Sequence, residues 1–201
     1  MMPGGLVVRL AKSPALFHGL RSALDPGQPA RVAAFLAGVS HRAVLELGCG
    51  IGANAAITAA PYTGLDLDPA YTAYAARRFG GSHRRFVTGD LLAPPDPRLG
   101  PFDLVALLNV LHHLSDPEVR TAVGHARAAG AKQVLVVDVA MERAGVLFHR
   151  VFAPLDRGAH FRTTDELRRL LEAAGVTLER EDGWSTGWGI WPRAAFLGRL
   201  A

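Results

Sequence analysis

The chain has 201 residues, 49% of them hydrophobic, which suits one domain with a substantial core and excludes a disordered chain. Its charge of +4 comes from 22 basic residues of which only Lys12 and Lys132 are lysines, spread without a basic block, so nucleic acid is not expected as a partner. The lone Cys49 excludes an internal disulfide, Leu6-Val7-Val8 is too short for a signal peptide, and no run approaches the ~20 apolar residues of a membrane span, so a cytoplasmic protein is expected.

In chain order, Ser13-Pro14 reads as an N-cap and first helical residue before Ala15–Leu20. Asp25-Pro26-Gly27 breaks the chain, and a second helix is predicted over 30–37. Apolar strands are then predicted at 43–47, 62–65, 85–88, 102–108 and 133–139, separated by helical segments. Asp68-Pro69 to Gly80 and Asp116-Pro117 to Gly130 each read as cap, helix and terminating glycine. Thr163-Thr164-Asp165-Glu166 is a capping box ahead of Leu167, Leu170 and Leu171. Two final strands are expected within 176–200, with Pro192 predicted to shorten, interrupt or displace them. Trp184, Trp188 and Trp191 are assigned to their core. The pattern predicts a doubly wound α/β sheet. A single domain follows: cap helices over 1–40, a core over 41–139, an insertion over 140–162, and a closing helix and strands over 163–201.

The densest signal is Val44-Leu45-Glu46-Leu47-Gly48-Cys49-Gly50-Ile51-Gly52. An apolar strand runs into an acidic residue and three alternate glycines, with Ala53, Ala55 and Ala56 placed to start a helix. Such a loop turns tightly and lets a ligand approach the backbone. Gly48, Gly50 and Ala53 also satisfy G-x-G-x-x-A, so a nicotinamide or flavin dinucleotide must be weighed. Glu46 argues against it, as do two further stations at strand ends: Gly89-Asp90-Leu91 and Asn109-Val110-Leu111-His112-His113-Leu114.

Together with Gly64-Leu65-Asp66-Leu67-Asp68-Pro69 and Phe102-Asp103-Leu104-Val105, these motifs resemble the class I methyltransferases dependent on S-adenosylmethionine, over roughly residues 40–175. The resemblance implies a seven-stranded, mostly parallel, Rossmann-like sheet. It implies that Gly48, Gly50 and Gly52 wrap the methionine part of the cofactor and that Glu46 orients it through the amino group. Asp66 would accept from the ribose hydroxyls, Leu67 and Leu91 would cover the adenine faces, and Asp90 would accept from the adenine amine. The backbone around Asn109 would hold the methionine amine. Asp68 and Asp103 are read as structural.

Methyl transfer from a sulfonium asks mainly for alignment and the exclusion of water; a base matters when the acceptor must lose a proton. His149 and His160, in an insertion expected to form a lid, and His112 are the candidate bases. His112 and His113 also have a bland reading, as rings bonded to backbone. No metal cluster is expected, and Cys49 reads as a small loop residue. With no separate substrate domain, the acceptor is expected to be a small molecule or lipid-like. The Arg and His content of the insertion fits an anionic acceptor and a solvated face equally well. A dinucleotide-dependent oxidoreductase and a non-catalytic S-adenosylmethionine-binding scaffold are the competing readings. Acceptor atom and oligomeric state stay open.

Overall fold

A computed structural model describes residues 13–15, 18–19, 27–94, 96–153, 158–186 and 190–200. Its helices and strands in chain order are α1 (Gln28–Phe35), β1 (Val44–Leu47), β2 (Tyr62–Asp66), α2 (Pro69–Phe79), β3 (Arg84–Thr88), β4 (Leu104–Leu108), α3 (Asp116–Ala128), β5 (Gln133–Val139), α4 (Thr164–Ala173), β6 (Val176–Thr186) and β7 (Trp191–Leu200). The seven strands form one sheet in the order β3-β2-β1-β4-β5-β7-β6. β1 to β5 are parallel, and β7 runs antiparallel between β5 and β6.

Two apolar layers flank the sheet. Val32 and Phe35 of α1 join Val44, Leu104, Leu108 and Val137 on one face, and Ala75 of α2 approaches Phe86 on that face beneath Gly52. Val119, Ala122 and Val123 of α3 join Leu167 and Leu171 of α4 on the other. The central strands β1 and β4 are buried on both faces, which is why they read as continuous apolar runs.

Local signals place most helix ends. Asp68 accepts from Ala70 N–H at 2.8 Å, and Thr163 and Glu166 close the expected capping box. Gly130 and Gly175 end their helices in the left-handed region, but Gly80 is extended. α3 starts one residue earlier in its capping pattern than expected: Ser115, not Asp116, is the N-cap, because Glu118 reaches back to the Ser115 N–H at 2.7 Å.

The alternation is less regular than predicted. Residues 50–57 make turns rather than a helix, held by Gly52 N–H to Cys49, Ala55 N–H to Gly52 and Ile57 N–H to Asn54. The Asn54 side chain is drawn under the sheet instead, to Glu46. Between β3 and β4, Pro94, Pro97 and Pro101 leave only a 3₁₀ turn over Pro97–Leu99.

The terminal strands correct the expectation about Pro192. They form a long hairpin, and Pro192 sits one residue beyond the last β5 partner, Arg193 against Val139. No β5 carbonyl waits there for an N–H, and the Pro192 carbonyl instead accepts from Ala140. Trp184 joins the core as expected; Trp191 is only half-buried, and Trp188 lies outside the described residues. The first cap helix lies largely outside them too. No helix among the described residues is long and apolar enough to cross a membrane.

Candidate active site

The glycine loop leaves β1 at the C-terminal rim of the sheet, where open parallel sheets take ligands. Gly48, Gly50 and Gly52 all have positive φ, at 75°, 53° and 77°. Their reasons differ. A Cβ at Gly48 would meet Val110 at 2.6 Å, and one at Gly52 would meet Ala75 and Phe86 at 2.8 Å. A Cβ at Gly50 would enter open space. The outer two glycines are therefore needed for packing, while Gly50 faces the side a ligand would occupy.

Two carboxylates shape this loop. Asp66, at the end of β2, accepts from the Gly50 N–H at 2.7 Å and from the Asp68 N–H at 3.0 Å. Each oxygen keeps a further lone pair for a hydroxyl donor. Glu46 is fully buried beneath the loop, where the Tyr62 hydroxyl donates to it at 2.5 Å and the Asn54 amide at 2.8 Å. Tyr62 and Asn54 were not singled out from the sequence. Burial, reinforced by the charges of Glu46 and Asp66, pushes the Cys49 thiol far above its usual range, which keeps it protonated and unreactive.

The remaining stations line the same rim. Leu67 is 71% exposed, an apolar side chain held out beside Asp66. Asp90 is exposed, and its Oδ1 accepts from the Leu92 N–H at 2.8 Å; Leu91 packs against the core. Asn109 follows β4 with φ of 56°, the one described non-glycine residue in the left-handed region. Its Oδ1 is buried without a hydrogen-bond partner among the described residues. Strain and an orphaned acceptor together point to a ligand contact. Open space at Gly50, free lone pairs on Asp66, the projecting Leu67 and the Asn109 oxygen fit an aminoacyl-nucleoside with a cationic centre.

The three candidate bases sit in different surroundings. His149 and His160 are exposed. His112 is only 5% exposed, and its Nδ1 lies 2.6 Å from Asp138 at the end of β5. Asp138 also accepts from the His112 and Val139 backbone N–H groups. Burial alone would raise its carboxyl, but the His112 ring, these N–H groups and the charge of Arg193 outweigh that and hold it below the usual range. The bland expectation for His112, a ring bonded to backbone, is thus corrected: its partner is a carboxylate 26 residues away. Asp138 carries no local motif; an acidic residue inside an apolar strand was its only signal.

The 140–162 segment is tied at its base. Ala140 and Arg162 form a bridge, and the His160 N–H donates to the His112 carbonyl at 2.9 Å. The buried Arg162 guanidinium reaches the carbonyls of Leu111, Leu114 and His160 and the Asp116 carboxylate. It is spent on the fold and does not stand ready for an anionic acceptor. Arg157 lies outside the described residues. Phe161 stacks on His112 at 5.1 Å, and Phe148 sets its edge against Phe161 and Trp191 at 6.0 and 5.3 Å. No group of three metal-ligating side chains occurs among the described residues.

Residues 44–133 match the sequence model of a methyltransferase domain. No curated protein sequence matches the chain significantly. Among solved structures it is similar to the magnesium protoporphyrin IX methyltransferase of Synechocystis PCC 6803 with bound SAH, at 19% identity and a TM-score of 0.68, over 90% of this chain and 87% of that one. Human N-acetylserotonin methyltransferase in complex with SAM aligns at 22% identity and 0.69, over 99% of this chain but 57% of its own. The N-methyltransferase NodS of Bradyrhizobium japonicum WM9 aligns at 18% and 0.64, over 86% and 92%. The sheet order with its antiparallel β7 is thus the Rossmann-like methyltransferase fold. The matched segment runs from β1 to the first residue of β5 and so takes in the glycine loop, Asp66, Asp90 and Asn109.

Proposed function

We propose that the protein transfers the methyl of S-adenosylmethionine to a small-molecule or lipid-like acceptor, with nucleic acid outside its range. The observation that carries the reading is the rim made by the open face of Gly50, the Asp66 carboxylate and the unpaired Asn109 oxygen. In this reading Gly48, Gly50 and Gly52 wrap the methionine part, Asp66 takes the ribose hydroxyls, and Leu67 and Leu91 cover the adenine, whose amine Asp90 accepts. Glu46 acts from below, fixing the loop through Asn54 and Tyr62. Asn109 Oδ1 takes the methionine amine alongside the local backbone.

The bound cofactor supplies a methyl already activated on sulfonium sulfur. The chain has then to place an acceptor in line and keep water out. Residues 140–162 act as the lid, with Phe148 and Phe161 as its apolar lining. Where the acceptor loses a proton, His112 is better placed than His149 or His160: its Nδ1–H donates to Asp138, which puts the lone pair on Nε2. Two neighbours in fold are named for a porphyrin and for N-acetylserotonin, which supports the small-molecule class.

Calorimetric titration with S-adenosylhomocysteine and with NADH tests the reading. Micromolar binding of the first and none of the second is expected. Binding of NADH alone would replace it with an oxidoreductase. Retained S-adenosylhomocysteine binding, without transfer of labelled methyl to a broad set of small acceptors, would make the protein a scaffold.

A further inference from the structure

Three ionisable side chains share buried surroundings where β5 ends: His112, Asp138 and Arg193, exposed by 5%, 2% and 5%. In the sheet register Asp138 faces Ala194, and Arg193 is the next residue along β7, opposite Val139. The Arg193 guanidinium lies 5.4 Å from the centroid of the Trp191 ring, and its charge acts on Asp138. Trp191 touches Phe148, Phe148 touches Phe161, and Phe161 stacks on His112, so aromatic rings close the cluster on the side of the insertion. Charges set this deep are expensive unless they balance, so the charge states of the three groups depend on one another.

His112 and Asp138 alone would make a poor base. A carboxylate 2.6 Å from the ring favours the doubly protonated imidazolium, which has no lone pair to take a proton. Arg193 changes that balance. Its guanidinium is permanently charged and already answers the negative charge of Asp138. A second proton on His112 would set two positive charges against one carboxylate. The other groups facing the ring do not restore the imbalance. His113, on the same turn, is exposed with its ring centroid 4.2 Å away, and His160 reaches the His112 carbonyl through its backbone N–H. Arg162, from the end of the insertion, is bonded to Asp116 of α3, and Arg143 reaches the Arg193 carbonyl.

Building on the methyltransferase reading with His112 as its base, we propose that Arg193 is a positioning residue that holds His112 as the neutral Nδ1–H ring, ready to take the acceptor proton on Nε2. The same charge makes the ring a weaker base, which suits a group that must be free of its proton at working pH. Arg193 thus acts through Asp138 and the ring, without touching the acceptor.

Nitrogen-15 NMR of the histidine rings in the ligand-free full chain tests this, with the His112 signals assigned by their loss in His112→Gln. Wild-type His112 carries one ring proton at pH 7. In Arg193→Met it takes the second proton at a pH higher by about one unit or more, the scale of a nearby charge. Arg193→Lys, which keeps the charge, stays close to wild type. Trp191→Leu removes the ring beneath the guanidinium and shifts the titration the same way by a smaller amount; it decides the matter if Arg193→Met does not fold. A wild-type ring doubly protonated at pH 7 would overturn the proposal. So would Arg193→Met, or in its place Trp191→Leu, titrating with wild type, even at lowered Tm, because Arg193 would then serve only the fold. Wild-type protein that does not bind S-adenosylhomocysteine sinks the underlying reading instead, and the ring titration, read without ligand, still reports on Arg193.

Discussion

The two halves of the rim are built by opposite means. On the side proposed for the adenine, from the glycine loop through Asp66 to Asp90, the carboxylates bond partners near them in sequence: Asp66 holds Gly50 across 16 residues and Asp68 across two. On the acceptor side the bonds are long in sequence and fall on buried groups: Asp138 to His112 across 26, Arg162 to Asp116 across 46 and to Leu111 across 51. The first half is a backbone shape trimmed by side chains. The second is a set of side chains that creates the shape. Substitutions should accordingly cost ligand binding on one side and stability on the other.

Arg162→Met is the strongest test, expected to cost about 3–5 kcal/mol in urea unfolding because the carbonyls and carboxylate it serves lose a buried partner. A loss below 1 kcal/mol would erase the contrast between the halves. Asp138→Asn should cost about 2–4 kcal/mol, since an amide turned toward two N–H donors cannot replace the carboxylate. It should also alter the acid limb. The folded carboxyl is held below its unfolded value of 3.8, so its contribution is complete above that pH and fades as pH falls through the folded value. Tm followed from pH 6 to pH 2 should therefore drop less steeply in the variant.

On the adenine side, Asp66→Ala should weaken S-adenosylhomocysteine by about 1.5–3 kcal/mol by calorimetry, the scale for hydrogen bonds to a charged group. The two glycine variants separate packing from ligand approach. Gly52→Ala, with a Cβ 2.8 Å from Ala75 and Phe86, should lower Tm clearly. Gly50→Ala carries only the strain of its φ, about 1 kcal/mol, yet should remove most binding. Equal Tm losses in both would deny Gly50 its ligand-facing role. Leu67→Ser should have the least effect, leaving stability within about 0.5 kcal/mol and reducing affinity a few-fold.

This contrast also explains what could be read from the sequence. Strand positions came within two residues because buried parallel strands must be continuous and apolar. The residues proposed for the adenine side stood out because glycines and acids at strand ends have few other uses. Asn54, Tyr62 and Asp138 did not, since each acquires its role only when the sheet sets it beside a residue from another segment. Gly50–Ile57 misled for a related reason: small residues allow a helix, but the tie from Asn54 to Glu46 takes the backbone into turns. Arg162 fitted an anion contact and a solvated face equally well, and only the fold shows that its charge is turned inward.

The bridge between Ala140 and Arg162 has a consequence for descent. It closes the 140–162 segment at its root, so the sheet does not depend on how long the chain between these residues is. Loop closure grows only slowly with length, about 0.6 kcal/mol for each doubling. A segment hinged on so narrow a neck can be lengthened, trimmed or exchanged while the donor side stays intact. The acceptor could thus be rewritten one cassette at a time.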